Sequence, residues 1–192
     1  MSEHTSDPLF AQALKADWAD LPAPIRALHE FERRAEFQGF VDVERGTHLL
    51  ARLCLLFLPF PKDGIDIPVK VIKTRNATGE TWQRMFRGQS FTTYLRFRKK
   101  TMRVTERFGP FRFELGMRAR KGAIRLPVRR GWFLGIPLPR FLLPKSEARE
   151  YVAAGEFRFD IALYAPLKTG LLIRYRGFLA PAAANEDIPQ TD

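Results

Sequence analysis

Cysteine is nearly absent from this chain. Cys54 is the single cysteine in 192 residues. A lone thiol cannot close an internal disulfide, so an oxidising compartment is not indicated. Cys54 lies in the apolar run Leu53-Cys54-Leu55-Leu56-Phe57-Leu58, where a buried, inert thiol is expected. Histidine is scarce too. His4, His29 and His48 form no His-x-x-x-His pair, and one cysteine makes no thiolate cluster, so a transition-metal site is not expected. There is no Gly-x-Ser-x-Gly elbow. His48 and Cys54, six residues apart on one predicted helix, are separated by about 600° of rotation and point to different faces. These patterns assign no catalytic residue and call for no cofactor.

Long hydrophobic runs are missing as well. The longest, Leu49 to Phe60, is interrupted by Arg52 and falls short of the ~18 apolar residues that a membrane span needs. Met1 to Asp7 lacks a basic stretch followed by an apolar one, so no secretory signal is read and a cytoplasmic location is expected.

What is abundant is phenylalanine, with 17 residues, and positive charge, with a net of +11. Phe suits strands that pack on one face. The charge is uneven: residues 1–45 carry −4, residues 46–180 carry +18 and residues 181–192 carry −3. The basic character belongs to the middle of the chain, where it suits phosphate, nucleic acid, an anionic membrane or simply a solvated arginine face.

Residues 1–20 read as a flexible arm with a short helical tendency, and 181–192 as a flexible acidic tail. A helix is predicted to start near Pro24, with Ile25 and Leu28 on one face. Phe37 to Val43 reads as a strand with a bulge at Gly39. Thr47 caps a predicted helix over 47–58, apolar on most of its surface and therefore buried. From Ile67 the apolar period becomes two. Val69 and Val71, then Trp82 and Phe86, Phe91 and Leu95, Val104 and Phe108, Phe111 to Leu115, Ile124 and Leu126, Phe157 to Leu163 and Leu171 to Phe178 mark successive strands. The class is α+β and β-dominated, one domain over 21–180. The expected form is a curved antiparallel sheet or a barrel with one buried helix, of lipocalin-like or START-like build.

Several segments together carry a family likeness. They are Phe40-Val41-Asp42-Val43-Glu44-Arg45-Gly46, Trp82 to Phe86, Glu106-Arg107-Phe108-Gly109-Pro110-Phe111-Arg112-Phe113, and Arg130 to Arg140. Gly155 to Asp160, followed by Ile173-Arg174-Tyr175-Arg176-Gly177, completes the set. In this order they resemble the bacterial domain-of-unknown-function 4166 family over roughly residues 21–180. The resemblance implies no established activity and no catalytic residues. It does imply an association with nucleotide-binding oxidoreductase modules of the saccharopine-dehydrogenase kind. The sequence holds no Gly-x-Gly-x-x-Gly, so such an oxidoreductase is expected as a separate partner.

A curved sheet offers its mouth as a ligand site. The residues expected to line the access are Trp82, Trp132, Phe133 and Phe141, with Arg84, Arg112 and Arg130 orienting an anionic group. Glu106 shares parity with Val104 and Phe108, so it points inward and needs a partner, either Arg84 or Arg112. The first functional expectation is therefore a domain binding an apolar or amphipathic anionic small molecule. Two alternatives stand beside it: a module binding a membrane surface or nucleic acid through its basic face, and an accessory subunit of an oxidoreductase. Residues 87–130 hold 14 Lys/Arg and 2 acids, but their Phe residues fall on the apolar parity, which leaves Tyr94 beside the arginines and disfavours nucleic acid. The Pro- and Gly-broken apolar stretch Gly131 to Pro144, flanked by Arg129, Arg130, Arg140 and Lys145, is expected to cover the sheet's open end or to touch a membrane.

Overall fold

The computed structural model describes residues 7–49, 51–52 and 60–182. Cys54, most of the helix predicted over 47–58 and the acidic tail beyond 182 lie outside them. Within that predicted helix, Arg52 N–H donates to the His48 carbonyl at 3.0 Å, and Ala51 is fully buried.

Strand-forming sequence dominates because apolar residues recur at every second position. The strands are β1 (Arg34–Arg45), β2 (Gly64–Asn76), β3 (Gly79–Phe86), β4 (Gln89–Arg98), β5 (Arg103–Phe108) and β6 (Phe111–Leu115). They continue as β7 (Arg118–Arg120), β8 (Ala123–Arg125), β9 (Val128–Phe133), β10 (Ile136–Pro137), β11 (Lys145–Ala153), β12 (Glu156–Tyr164) and β13 (Leu171–Pro181). All join one antiparallel sheet in the order β10-β9-β6-β5-β4-β3-β2-β1-β13-β12-β11-β8-β7.

The sheet curls but does not close, which decides against the barrel. The reason lies at Leu126-Pro127. This short link carries the chain from β8, paired with β11, to β9, paired with β6. It bonds once to each side: Leu126 N–H to the Ala148 carbonyl at 3.1 Å, and Gly116 N–H to the Pro127 carbonyl at 2.8 Å. Proline has no N–H to extend a ladder, so the two ends of the sheet meet through the chain rather than through continuous pairing.

Two glycines let the backbones of β1 and β13 approach closely. A side-chain carbon on Gly39 would stand 2.0 Å from the Phe178 carbonyl oxygen, and one on Gly177 would stand 2.1 Å from that of Phe40. The bulge expected at Gly39 is not there. The ladder runs straight through Gly39, and the register shift against β2 falls between Val41 and Val43. Gly39 simply occupies an inward position, in step with buried Phe37, Val41 and Val43.

Two short helices plug the concave side. Helix α1 (Leu9–Leu14) buries Leu9, Phe10 and Leu14, where the sequence pattern suggests a mobile arm. Helix α2 (Ala23–His29) has Pro24 in its first turn and buries Ile25, Leu28 and His29. Phe10 stacks on the His29 ring at 3.8 Å, so Leu9–Leu14 belongs to the core. Burying one such Phe contributes roughly 1.5–3 kcal/mol.

Candidate functional site

The concave face of β3–β5 carries polar groups where its strand parity calls for apolar ones. Arg84 on β3 stands opposite Phe91, and Glu106 on β5 stands opposite Leu95. Arg84 reaches diagonally across β4. Its Nη1 donates to Thr93 Oγ1 at 2.8 Å, and its Nη2 lies 3.5 Å from Glu106 Oε1. This settles which arginine meets Glu106. Arg112 projects to the other face and stacks on Trp132, 4.4 Å from its ring centre.

Arg84, Thr93, Glu106 and Tyr175 face a cavity of about 140 Å³ whose remaining walls are mostly apolar, including Phe10, Phe91 and Ala148. A second cavity of about 50 Å³ shares Trp82, Arg84, Glu150, Ile161 and Tyr175 with it. The Tyr175 hydroxyl has no hydrogen-bond partner among the described residues. Burial pushes its pKa up to about 12, although Arg84 nearby works in the other direction. It is therefore a protonated donor at neutral pH.

Behind Trp82 lies a denser cluster that the sequence pattern did not single out. Lys73 on β2 is buried, donates to the Leu28 carbonyl at 2.9 Å and sits 3.8 Å from a Trp82 ring centre. Burial lowers its pKa to about 7, against the pull of Glu150 and Glu80. Glu80 takes the Trp82 indole N–H at 2.9 Å and two Arg75 donors at 3.0 and 3.2 Å. His29 Nε2 and Glu150 Oε2 are 2.8 Å apart.

Burial holds the His29 pKa below its usual value, with Lys73 adding to the effect. Burial alone would raise the Glu150 pKa, but His29 and Lys73 hold it below the usual carboxylate range. The neutral His29 tautomer that fits is the one donating from Nε2, with Nδ1 left buried and unpartnered. Across this interior three basic groups, Lys73, Arg75 and Arg84, face three acidic ones, Glu80, Glu106 and Glu150.

Of the residues expected to form the site, Trp82, Arg84 and Glu106 come together. Arg112, Trp132 and Arg130 do not. Their register places them on the convex face, with Arg112 opposite Trp132 and Arg130 opposite Glu114. Three arginines converging on one interior anion are therefore not formed. Phe133 does not line the cavity; it packs on Phe111 at 5.0 Å, which in turn stacks on Phe113 of the cavity wall. Phe141 is exposed on a single 3₁₀ turn, Arg140–Leu142. The missed residues did leave a signal. Lys73 keeps the parity of Val69 and Val71, Glu150 that of Ala148, and His29 follows Ile25 and Leu28 at helical spacing.

Among the described residues no group of three or more His, Cys, Asp and Glu is placed to hold a metal ion, and no helix is long and apolar enough to cross a membrane. The family model described as a domain of unknown function, DUF4166, matches residues 21–179, so the chain belongs to that family. No curated protein matches the chain. No solved structure matches it either, so the fold is described by its own topology rather than by likeness to lipocalin-like or START-like domains.

Proposed function

We propose that this member of the family is a binding domain for a small amphipathic molecule held in the concave cavity. One observation carries the reading. A free tyrosine hydroxyl and an arginine–glutamate pair project into a mostly apolar space inside a curved sheet, with Thr93, Ser146 and Glu150 as its other polar walls. Buried polar groups of this kind are costly unless something uses or satisfies them. A cavity of about 140 Å³ compares with the ~150 Å³ apolar cavity that admits benzene. The ligand body is therefore about the size of one six-membered ring, with one head group accepting from Arg84 and Tyr175. A carboxylate head fits if it takes the place of Glu106 on Arg84.

Native mass spectrometry of gently purified protein tests this. The wild type retains a small bound species, and Ala148→Leu, which fills the cavity, loses it while its melting curve stays cooperative. A chain that carries nothing, and whose melting temperature is unmoved by small aromatic and short-chain carboxylic acids, overturns the reading.

A second reading rests on a separate observation. The β9–β10 hairpin exposes Leu134 and Ile136, with Phe141 nearby in sequence also exposed, beside Arg129, Arg130 and Arg140. Apolar side chains within a ring of basic ones suit the surface of an anionic membrane. Co-sedimentation with vesicles containing phosphatidylserine, lost in Leu134→Asp/Ile136→Asp, supports it. Equal sedimentation of wild type and double variant removes it.

A further inference from the structure

The convex face of β3–β6 holds a groove of about 370 Å³, separate from the concave cavity. Its walls include Tyr94, Arg96 and Arg98 from β4, Thr105 and Arg107 from β5, and Arg112 from β6. Among the described residues none of these four arginines has a carboxylate partner. Glu80 borders the groove but is buried and committed to Arg75 and Trp82.

One row of the sheet is ordered in an unusual way. Tyr94 stands opposite Arg107, Arg107 opposite Arg112, and Arg112 opposite Trp132. Arg107 lies 4.9 Å from the Tyr94 ring centre, and Arg112 lies 4.4 Å from that of Trp132. Two arginines thus stand opposite each other on neighbouring strands, each with its guanidinium over an aromatic ring on its outer flank. Like charges directly opposite on a sheet are destabilising, and among the described residues neither arginine has a salt-bridge partner. Stacking holds each guanidinium plane while leaving its N–H fork free for an oxyanion.

We propose that this groove is a binding site for a phosphate group, clamped between Arg107 and Arg112. Phosphate is favoured over a single carboxylate because it offers acceptor oxygens to both forks at once and neutralises more of the cluster. The rest of the groove is polar, with Thr81 beside Tyr94 and Asn76 and Thr78 at the far end. Its volume falls within the roughly 300–1,000 Å³ typical of small-molecule sites. The ligand class is a small phosphorylated compound with hydroxyl groups that these side chains can pair. A lipid headgroup presents the same phosphate chemistry. The site does not depend on the concave cavity, and either can fail alone.

The test uses the full chain at low salt, with Trp132 fluorescence or proton–nitrogen shifts as the readout. Pyrophosphate is titrated first, followed by vesicles containing phosphatidic acid. Saturable pyrophosphate binding is expected, weakened about tenfold or more by Arg107→Gln and by Arg112→Gln and unaffected by Arg120→Gln, an exposed arginine outside the groove, as charge-assisted bidentate contacts predict. Binding of the vesicles with the same variant pattern, and weak binding of pyrophosphate, assigns the phosphate to a lipid. The absence of saturable binding to either probe overturns the proposal. So does an equal loss in Arg120→Gln, which marks diffuse charge. Much tighter binding of a single-stranded oligonucleotide, with losses spread evenly over all the arginines, overturns it as well.

Discussion

The two faces of β2–β6 treat charge differently. On the concave face every cation has an answer. Arg75 meets Glu80, Arg84 meets Glu106, and Lys73 lies in the field of Glu80 and Glu150. On the convex face Arg96, Arg98, Arg107 and Arg112 have no carboxylate, and the two best-placed ones lean on aromatic rings instead. The difference follows from solvent. A buried ion without a counter-charge costs several kcal/mol, whereas an exposed guanidinium keeps its hydration and can wait for a partner. The concave groups therefore support the fold as well as any ligand, and the convex ones are free to serve a ligand alone.

The comparison breaks most readily from inside. Replacing Glu150 by Leu leaves Lys73 buried without its nearest compensation and removes the partner of His29. A loss of about 3–5 kcal/mol is expected in urea unfolding, in the range for breaking a buried pair. A loss below about 1 kcal/mol would mean the concave cluster is not held by charge.

Phe10→Ala is next. Removing a buried aromatic that lines the cavity and stacks on His29 should cost about 3 kcal/mol or more. The same variant should exchange a cavity ligand faster.

The third test uses pH. Lys73 has a folded pKa of about 7 against 10.5 when unfolded. Below 7 both states carry the proton and the burial penalty stands in full. Between 7 and 10.5 the unfolded chain holds the extra proton, so stability rises with pH across that window, by a total on the order of 5 kcal/mol. His29 acts in the same direction at lower pH. Its folded pKa lies below 6.5, so stability falls as pH drops through 6.5 and the unfolded chain protonates first. Lys73→Met should flatten the alkaline slope and leave the acidic one, as read by urea midpoints at a series of pH values.

The smallest effect is expected outside. Arg107→Gln should leave stability within about 0.5 kcal/mol or raise it slightly, because it removes a like-charge contact. A marked loss would show that the convex arginines are structural after all.

Much of the architecture was readable because it depends on period. The alternation of Val69 with Val71, Trp82 with Phe86 and Phe157 with Phe159 marks both the strands and their buried face. The inward turn of Glu106 follows from the same parity. What period cannot carry is pairing at a distance. Arg112 and Arg130 share the basic stretch with Glu106, yet neighbouring strands put them on opposite faces of the sheet. His29 and Glu150 are 121 residues apart, and nothing local announces their contact. The sheet's failure to close was equally hidden, since it turns on where one proline falls between two ladders. Residues 9–14 were misleading for a simpler reason. A six-residue helix has almost no stability alone, so its order comes entirely from the face it covers.

The Leu126-Pro127 link gives the molecule a seam. Along that line β8 and β11 share two ladder pairs and the Leu126 bond to Ala148, whereas β11 and β12 share nine pairs. Leu126 and Ala148 both line the cavity, so the seam runs beside the enclosed space. A closed barrel would have to unzip a full ladder to admit a guest. Here only a few hydrogen bonds hold the wall along this line, so parting it there costs less than unzipping a full ladder.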